Sequence, residues 1–189
     1  MRLVLYVIAV ACAAFLYIRS DFPNTPGTQR IGALALDDIS LTGDEAAPFE
    51  ITETRDGVFW MIEKHKVRHL TRNQELSRAG VLAGLVMYAI YENHSVAMRA
   101  ARFDYRRVAT RLTEGLWGEA DRVIGDACWS SKEPNGTLLV VRRNCCFLVS
   151  IHADRIGETS LGGARREARR LAASLARRIV AKNDSSWLW

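Results

Sequence analysis

Residues 137–152 read TLLVVRRNCCFLVSIH, and this stretch decides how the second half of the chain folds. Two apolar runs of strand length flank a short polar segment, which predicts two antiparallel strands that close at Asn144-Cys145. The run GDACW, residues 125–129, predicts a strand before them, with a turn at residues 134–136. These three strands would form a meander.

A long amphipathic helix follows the meander, from about Gly163 to Lys182. Its apolar side chains recur at helical spacing, which predicts one buried stripe along the helix. The members of this stripe are Ala164, Ala168, Leu171, Leu175 and Ile179.

The first half of the chain shows a similar plan. Strand-like runs at residues 49–54 and 58–64 flank Asp56-Gly57, a strong hairpin signal. Residues 73–80 are typical of a short helix or turn. Residues 85–91 and 96–103 predict two strands, with a buried helix over 79–91 as the alternative, and a helix then begins at Asp104.

Hairpin followed by helix therefore occurs twice. An antiparallel sheet with helices on one face makes this an α+β domain, predicted over residues 49–182. The chain has 189 residues, of which 49% are hydrophobic, and a net charge of +5. That length suits one domain plus an anchoring segment.

The N-terminal segment predicts a transmembrane signal anchor over residues 1–20. Leu3–Ile18 contains no charged residue and no proline. As a helix it would span roughly 24 Å, slightly less than a bilayer core, and the flanking Arg2 and Arg19 could close the gap. This predicts a single-pass membrane protein with a cytoplasmic N-terminus and an extracytoplasmic, periplasmic domain. The alternative is a cleaved signal peptide, including cleavage before Cys12 as in a bacterial lipoprotein.

Residues 21–48 predict a tether between the anchor and the domain. They contain three of the four prolines together with several Gly, Asp and Thr residues. Within them, Ile31–Leu36 could add a short edge strand.

The cysteines do not predict a catalytic or metal site. Cys145 and Cys146 are adjacent on a predicted strand and so point to opposite faces. We interpret them as small hydrophobic residues, with a disulfide from Cys128 to one of them as the alternative. No sequence motif predicts a cofactor, and we expect a non-enzyme. An unrecognised enzyme would need a cleft that gathers Asp126, His152 or Cys128.

Two surface features predict binding. The last helix carries one acid, Glu167, against many basic residues; the face is either simply solvated or contacts anionic lipid head groups or an acidic protein. The tail, residues 183–189, ends in Trp187, Leu188 and Trp189, which could fold back onto the core, dock into a partner or lie at a membrane interface. The basic residues are Arg165, Arg166, Arg169, Arg170, Arg177, Arg178 and Lys182.

The predicted partner-binding residues combine these two features. They are Arg166, Arg169, Arg170, Arg177, Trp187, Leu188 and Trp189. Nucleic acid is not an expected partner, because the domain is predicted to lie outside the cytoplasm.

Residues 123–154, VIGDACWSSKEPNGTLLVVRRNCCFLVSIHAD, precede ARREARRLAASLARRI, residues 164–179. Together they resemble the second half of small bacterial extracytoplasmic α+β domains of the sensor-like and lipoprotein-like families. The resemblance implies a binding module without catalytic residues.

The predicted function is a membrane-anchored, extracytoplasmic protein-binding module that serves as an accessory subunit of a membrane or envelope complex. The alternative is a small-molecule- or lipid-sensing domain, which a deep apolar pocket between helices and sheet would favour.

Overall fold

The computed structural model describes residues 30–31, 34–57, 69–111, 117–119, 123–131, 135–157 and 160–186. The strands are β1 (Arg30–Ile31), β2 (Leu34–Ala35), β3 (Glu50–Asp56), β4 (His69–Arg78), β5 (Val81–Tyr91), β6 (Trp117–Glu119), β7 (Ala127–Ser131), β8 (Gly136–Arg142) and β9 (Cys145–Ile151). The helices are α1 (Leu36–Ile39), α2 (Gly43–Ala46), α3 (His94–Arg111) and α4 (Leu161–Ser185), with one 3₁₀ turn at Ala153–Arg155.

A seven-stranded sheet in the order β3-β4-β5-β9-β8-β7-β6 forms the centre of the fold. All neighbouring strands are antiparallel. Each half contributes a meander and then a helix, and the two halves meet where β5 pairs with β9. The α+β class, the antiparallel sheet and the C-terminal helix are therefore confirmed.

The two long helices lie on opposite faces of the sheet, so the prediction of helices on one face was wrong. Successive side chains of a strand alternate between faces, and β9 is apolar on both. Phe147 and Val149 join the core beneath α4, whereas Cys146 joins a second cluster with Ala97 and Ala101 of α3. Both sheet faces need cover, and one helix supplies it on each side.

The segment predicted as a tether instead belongs to the core from β1 onward. Its apolar side chains are buried in the same cluster as those of α4, which is the physical reason that it folds back onto the sheet. The ordered part of the chain therefore begins before Phe49. The buried members are Ile31, Leu34, Leu36, Ile39, Leu41, Ala46 and Phe49.

Hydrogen bonds hold this N-terminal segment to the sheet. The Tyr88 hydroxyl donates to Gln74 Oε1 at 2.7 Å and accepts from the Leu41 N–H at 3.1 Å. The Arg72 side chain, in a residue only 8% exposed, binds Asp56 of β3 and Asp37 of α1. The buried side chains of Arg72 and Gln74 on β4 thus find hydrogen-bond partners in the segment that covers them.

Two local predictions in the first half were wrong in whole or in part. Of residues 73–80, predicted as a short helix or turn, residues 73–78 end β4 and Ala79 and Gly80 form a turn. The polar Gln74 is buried in this strand, where its side chain donates to the Leu41 carbonyl at 3.0 Å. Residues 96–103 belong to α3, not to a strand. The Asn93 side chain caps this helix by accepting from the Val96 N–H at 3.0 Å, so the helix begins ten residues before Asp104.

The single-pass membrane location predicted from the sequence is corrected here. Across the described ranges, no helix is both long and apolar enough to cross a bilayer. The predicted span, Leu3–Ile18, lies outside the described residues. The extracytoplasmic placement of the domain was inferred from that predicted span alone.

Candidate binding surface on the last helix

α4 is built from an alanine-rich stripe and an arginine-rich opposite side. It begins at a cap, where Ser160 Oγ accepts from the Gly163 N–H at 3.0 Å. The small side chains Ala164, Ala168 and Ala172 are buried against the sheet, so the helix backbone lies close to β8. The arginines are left on the solvent side by the same periodicity.

Four arginines of α4 make up what we call the arginine face. All four are exposed. None makes a hydrogen bond or ion pair with another residue in the described part of the chain. No carboxylate there offsets the charge of these guanidiniums, and their N–H donors stay available. The arginine face consists of Arg165, Arg166, Arg169 and Arg177.

Arg170 and Arg178, their neighbours on α4, are bound differently. Arg170 donates to both Glu167 oxygens, from Nε at 2.6 Å and from Nη2 at 2.5 Å. This hydrogen bond from Arg170 lowers the pKa of the Glu167 carboxyl. Arg178 Nη1 donates to the backbone carbonyls of Glu45 and Ala47, both at 2.6 Å. Of the predicted partner-binding arginines, Arg166, Arg169 and Arg177 are therefore free, whereas Arg170 is paired.

A groove runs beside α4, between that helix and the loop after α2. Its volume is about 370 Å³. Arg78, at the end of β4, lines it together with Arg170 and Arg178, and Arg78 Nη1 donates to the Ile156 carbonyl at 2.9 Å. Sequence reasoning missed Arg78 as a site residue, because it lies a hundred positions from Arg178 and stands in no motif.

The C-terminal end of α4 is fixed to the N-terminal segment. Lys182 Nζ donates to the Ser40 carbonyl and to Glu45 Oε2, both at 2.7 Å. Ser186 Oγ donates to the Asp38 carbonyl at 3.0 Å. The predicted polar break after Lys182 does not occur, because α4 continues to Ser185. Within this last turn Asn183 is 0% exposed. The predicted tail residues Trp187, Leu188 and Trp189 lie outside the described residues.

The β8–β9 hairpin brings together several charged residues that serve structure. Arg142 donates to Asp184 of α4 at 2.8 Å and to Asp126 at 2.6 Å, and the Arg143 N–H also donates to Asp126 at 2.6 Å. Burial alone would raise the pKa of Asp126, but these hydrogen bonds from Arg143 and Arg142 outweigh it and lower the pKa. Asp126 is thus held as an ionised clamp.

The thiols of Cys128, Cys145 and Cys146 are buried and form no disulfide with one another. The hairpin turn consists of Arg143 and Asn144, with a φ of 54° at Arg143, so the turn lies one residue earlier than predicted. Cys145 is therefore the first residue of β9 and is 0% exposed. Burial raises the pKa of its thiol to about 12, which opposes formation of a nucleophilic thiolate. The alternative of a disulfide to Cys128 is not formed.

Within the ranges described above, no group of three or more His, Cys, Asp or Glu side chains is placed to hold a metal ion.

Comparison of the chain with family models, with curated proteins and with solved structures found no match. The resemblance to small bacterial sensor-like and lipoprotein-like domains stays a prediction.

Proposed function

We propose that this chain is a non-catalytic protein-binding module that recognises an acidic protein partner through the arginine face of α4. The observation that carries the proposal is four exposed guanidiniums with no partner among the described residues. A guanidinium presents a rigid fork of donors that fits a carboxylate, so such a face suits Asp- and Glu-rich surfaces. The predicted tail, Trp187, Leu188 and Trp189, would add apolar anchors to the same interface.

The rigid attachment of α4 supports this function. The helix is fixed along its alanine stripe, at its cap and at its C-terminal end, so its arginines project from a preorganised scaffold. Binding through a preformed face avoids much of the entropy that an unfolded basic segment would lose. Charge complementarity of this kind sets specificity and speeds association, and it weakens with salt.

The test compares two matched double variants of the full chain. Arg166→Gln/Arg169→Gln removes two charges at i, i+3 spacing from the arginine face. Arg99→Gln/Arg102→Gln removes two exposed charges at the same spacing from α3. Each tagged protein is used to isolate its complexes from the source cells, and recovered partners are measured with increasing salt.

The expected result is loss of an acidic partner from the Arg166/Arg169 variant and its retention by the Arg99/Arg102 variant. Both variants should melt like the parent chain, since exposed substitutions usually change stability by no more than about 0.5 kcal/mol. The proposal is wrong if no acidic protein co-purifies with the parent chain, or if both variants retain it equally.

A further inference from the structure

The groove beside α4 differs from the arginine face in its construction. Three guanidiniums, those of Arg78, Arg170 and Arg178, line one concavity of about 370 Å³. Glu167 is the single acid on its wall, and both oxygens of that carboxylate are bound by Arg170. The groove therefore carries an excess of two positive charges among its lining residues.

Arg78 and Arg178 are each held in place by backbone carbonyls and not by carboxylates. Arg78 binds the carbonyl of Ile156, and Arg178 binds those of Glu45 and Ala47. A carbonyl fixes the position of a guanidinium without neutralising its charge. In both residues the hydrogen bonds come from Nη1, so Nε and Nη2 donate to no group among the described residues.

The remaining lining offers a small polar and apolar complement. Ser174 contributes a hydroxyl from α4, and Pro48, Leu171 and Leu175 contribute an apolar floor. The volume lies near the lower end of the range that small-molecule sites occupy in proteins, roughly 300–1,000 Å³. A ligand of a few to a dozen heavy atoms fits this space.

We propose that the groove binds a small organic dianion, a phosphate ester or a dicarboxylate, through paired contacts from Arg78 and Arg178. Two preorganised forks with free donors are the arrangement that recognises such oxyanions. The site is separate from the protein-binding function proposed above, because neither arginine belongs to the arginine face.

Isothermal titration of the full chain with phenyl phosphate and with succinate tests this site and distinguishes the two oxyanions. Acetate serves as the monoanionic reference. The variants are Arg78→Gln and Arg78→Lys, which leave the helix intact, and Arg178→Gln. The matched control is Arg102→Gln, which removes one exposed charge from α3, outside both the groove and the arginine face.

At least one dianion should bind more tightly than acetate. Arg78→Gln should weaken that binding by about tenfold or more, the loss expected for one charge-assisted hydrogen bond. Arg78→Lys should recover only part of it, because it restores charge without the fork, and Arg102→Gln should change the affinity by less than about twofold.

Three results would overturn the proposal. They are no measurable binding of either dianion, unchanged binding by Arg78→Gln, or an equal loss in Arg102→Gln, which would indicate attraction to net charge alone. Arg178 also fastens the loop after α2, so its variant is first checked by circular dichroism. If Arg178→Gln is unfolded, the Arg78 variants decide the question.

Discussion

Gly136, the first residue of β8, provides the most direct test of how α4 is seated. A Cβ added there would lie 2.6 Å from the backbone N of Arg169 and closer still to the carbonyl of Ala168. Ordinary contacts of a Cβ begin near 3.4 Å. The obstacle is helix backbone and not the end of a flexible side chain, so the Gly136→Ala variant would require α4 to move from the sheet.

The expected cost follows from that displacement. The Ala168 oxygen would lie only 2.2 Å from the added Cβ, so an ordinary contact requires the helix to move by about 1.2 Å. That shift loosens the contacts of its buried alanine stripe, and overpacking of this kind costs typically 1–3 kcal/mol. We expect the upper end, about 3 kcal/mol, because backbone cannot rotate away. Gly136 does not have a positive φ, so alanine introduces no backbone strain of its own. For a chain of this size, the melting temperature should fall by roughly 6–12 °C.

Gly162 supplies the matched control. It lies in the first turn of α4, and a Cβ there would meet only Arg166 Nη1 at 3.8 Å. Gly162→Ala should leave stability unchanged or raise it by up to about 1 kcal/mol, since alanine favours helix and restricts the unfolded chain. Urea unfolding followed by circular dichroism measures both variants. If Gly136→Ala is as stable as Gly162→Ala, the close approach of α4 to β8 is refuted.

Three further predictions concern the buried thiols, the Asp126 carboxylate and the two carboxylates that bind Arg72. In a Cys12→Ser background at pH 8, a thiol reagent should label none of Cys128, Cys145 and Cys146 in the folded chain and all three after unfolding. A thiol that reacts rapidly in the folded chain would contradict the burial of these residues. Because the folded pKa of Asp126 is lowered, its contribution to stability is present above the pKa of the unfolded carboxyl and lost as pH falls. The fall in unfolding free energy on acidification should therefore be shallower for Asp126→Asn, and equal slopes would count against the clamp. Asp56→Asn should destabilise the chain by about 2–3 kcal/mol, which is less than breaking a fully buried ion pair costs. The loss should exceed that of Asp37→Asn, because Asp56 binds two nitrogens of Arg72 and is less exposed than Asp37. Equal losses would refute that ranking.

The elements that the sequence predicted well are those whose pattern is apolar and periodic. α4 has a stripe at helical spacing over its whole length, and β8 and β9 are continuous apolar runs because the sheet is covered on both faces. Such patterns are properties of neighbouring residues, and they can be found without knowledge of the fold.

The elements that were misassigned depend on partners far away in the chain. β4 buries Arg72 and Gln74, which look like surface residues until α1 and the following loop supply their hydrogen bonds. α3 buries only alanines in its first turns, Ala97 and Ala101, so its apolar signal is weak. The Asn93 cap was the available local signal for that helix.

The groove could not be predicted from sequence for a related reason. Arg78 and Arg178 line one groove although β4 and α4 lie far apart in the chain, and no spacing in the sequence encodes that meeting. The arginine face was predictable in composition, since its members lie on one helix. The division of the α4 arginines into free and bound ones was not, because Glu167 and the carbonyl of Ala47 bind Arg170 and Arg178 through contacts that the sequence does not show.

This division supports the proposal that the arginine face binds an external partner. The carboxylates that reach α4 or lie on it are already committed within the described structure: Glu167 to Arg170, Glu45 to Lys182, and Asp184 to Arg142. The alanine stripe and Gly136 hold the helix too close to the sheet for it to rotate and share them. The charge of Arg165, Arg166, Arg169 and Arg177 therefore cannot be neutralised by these acids. Within the described part of the chain it stays unpaired, and the acidic protein partner proposed above would use the fixed spacing of the four guanidiniums to satisfy it.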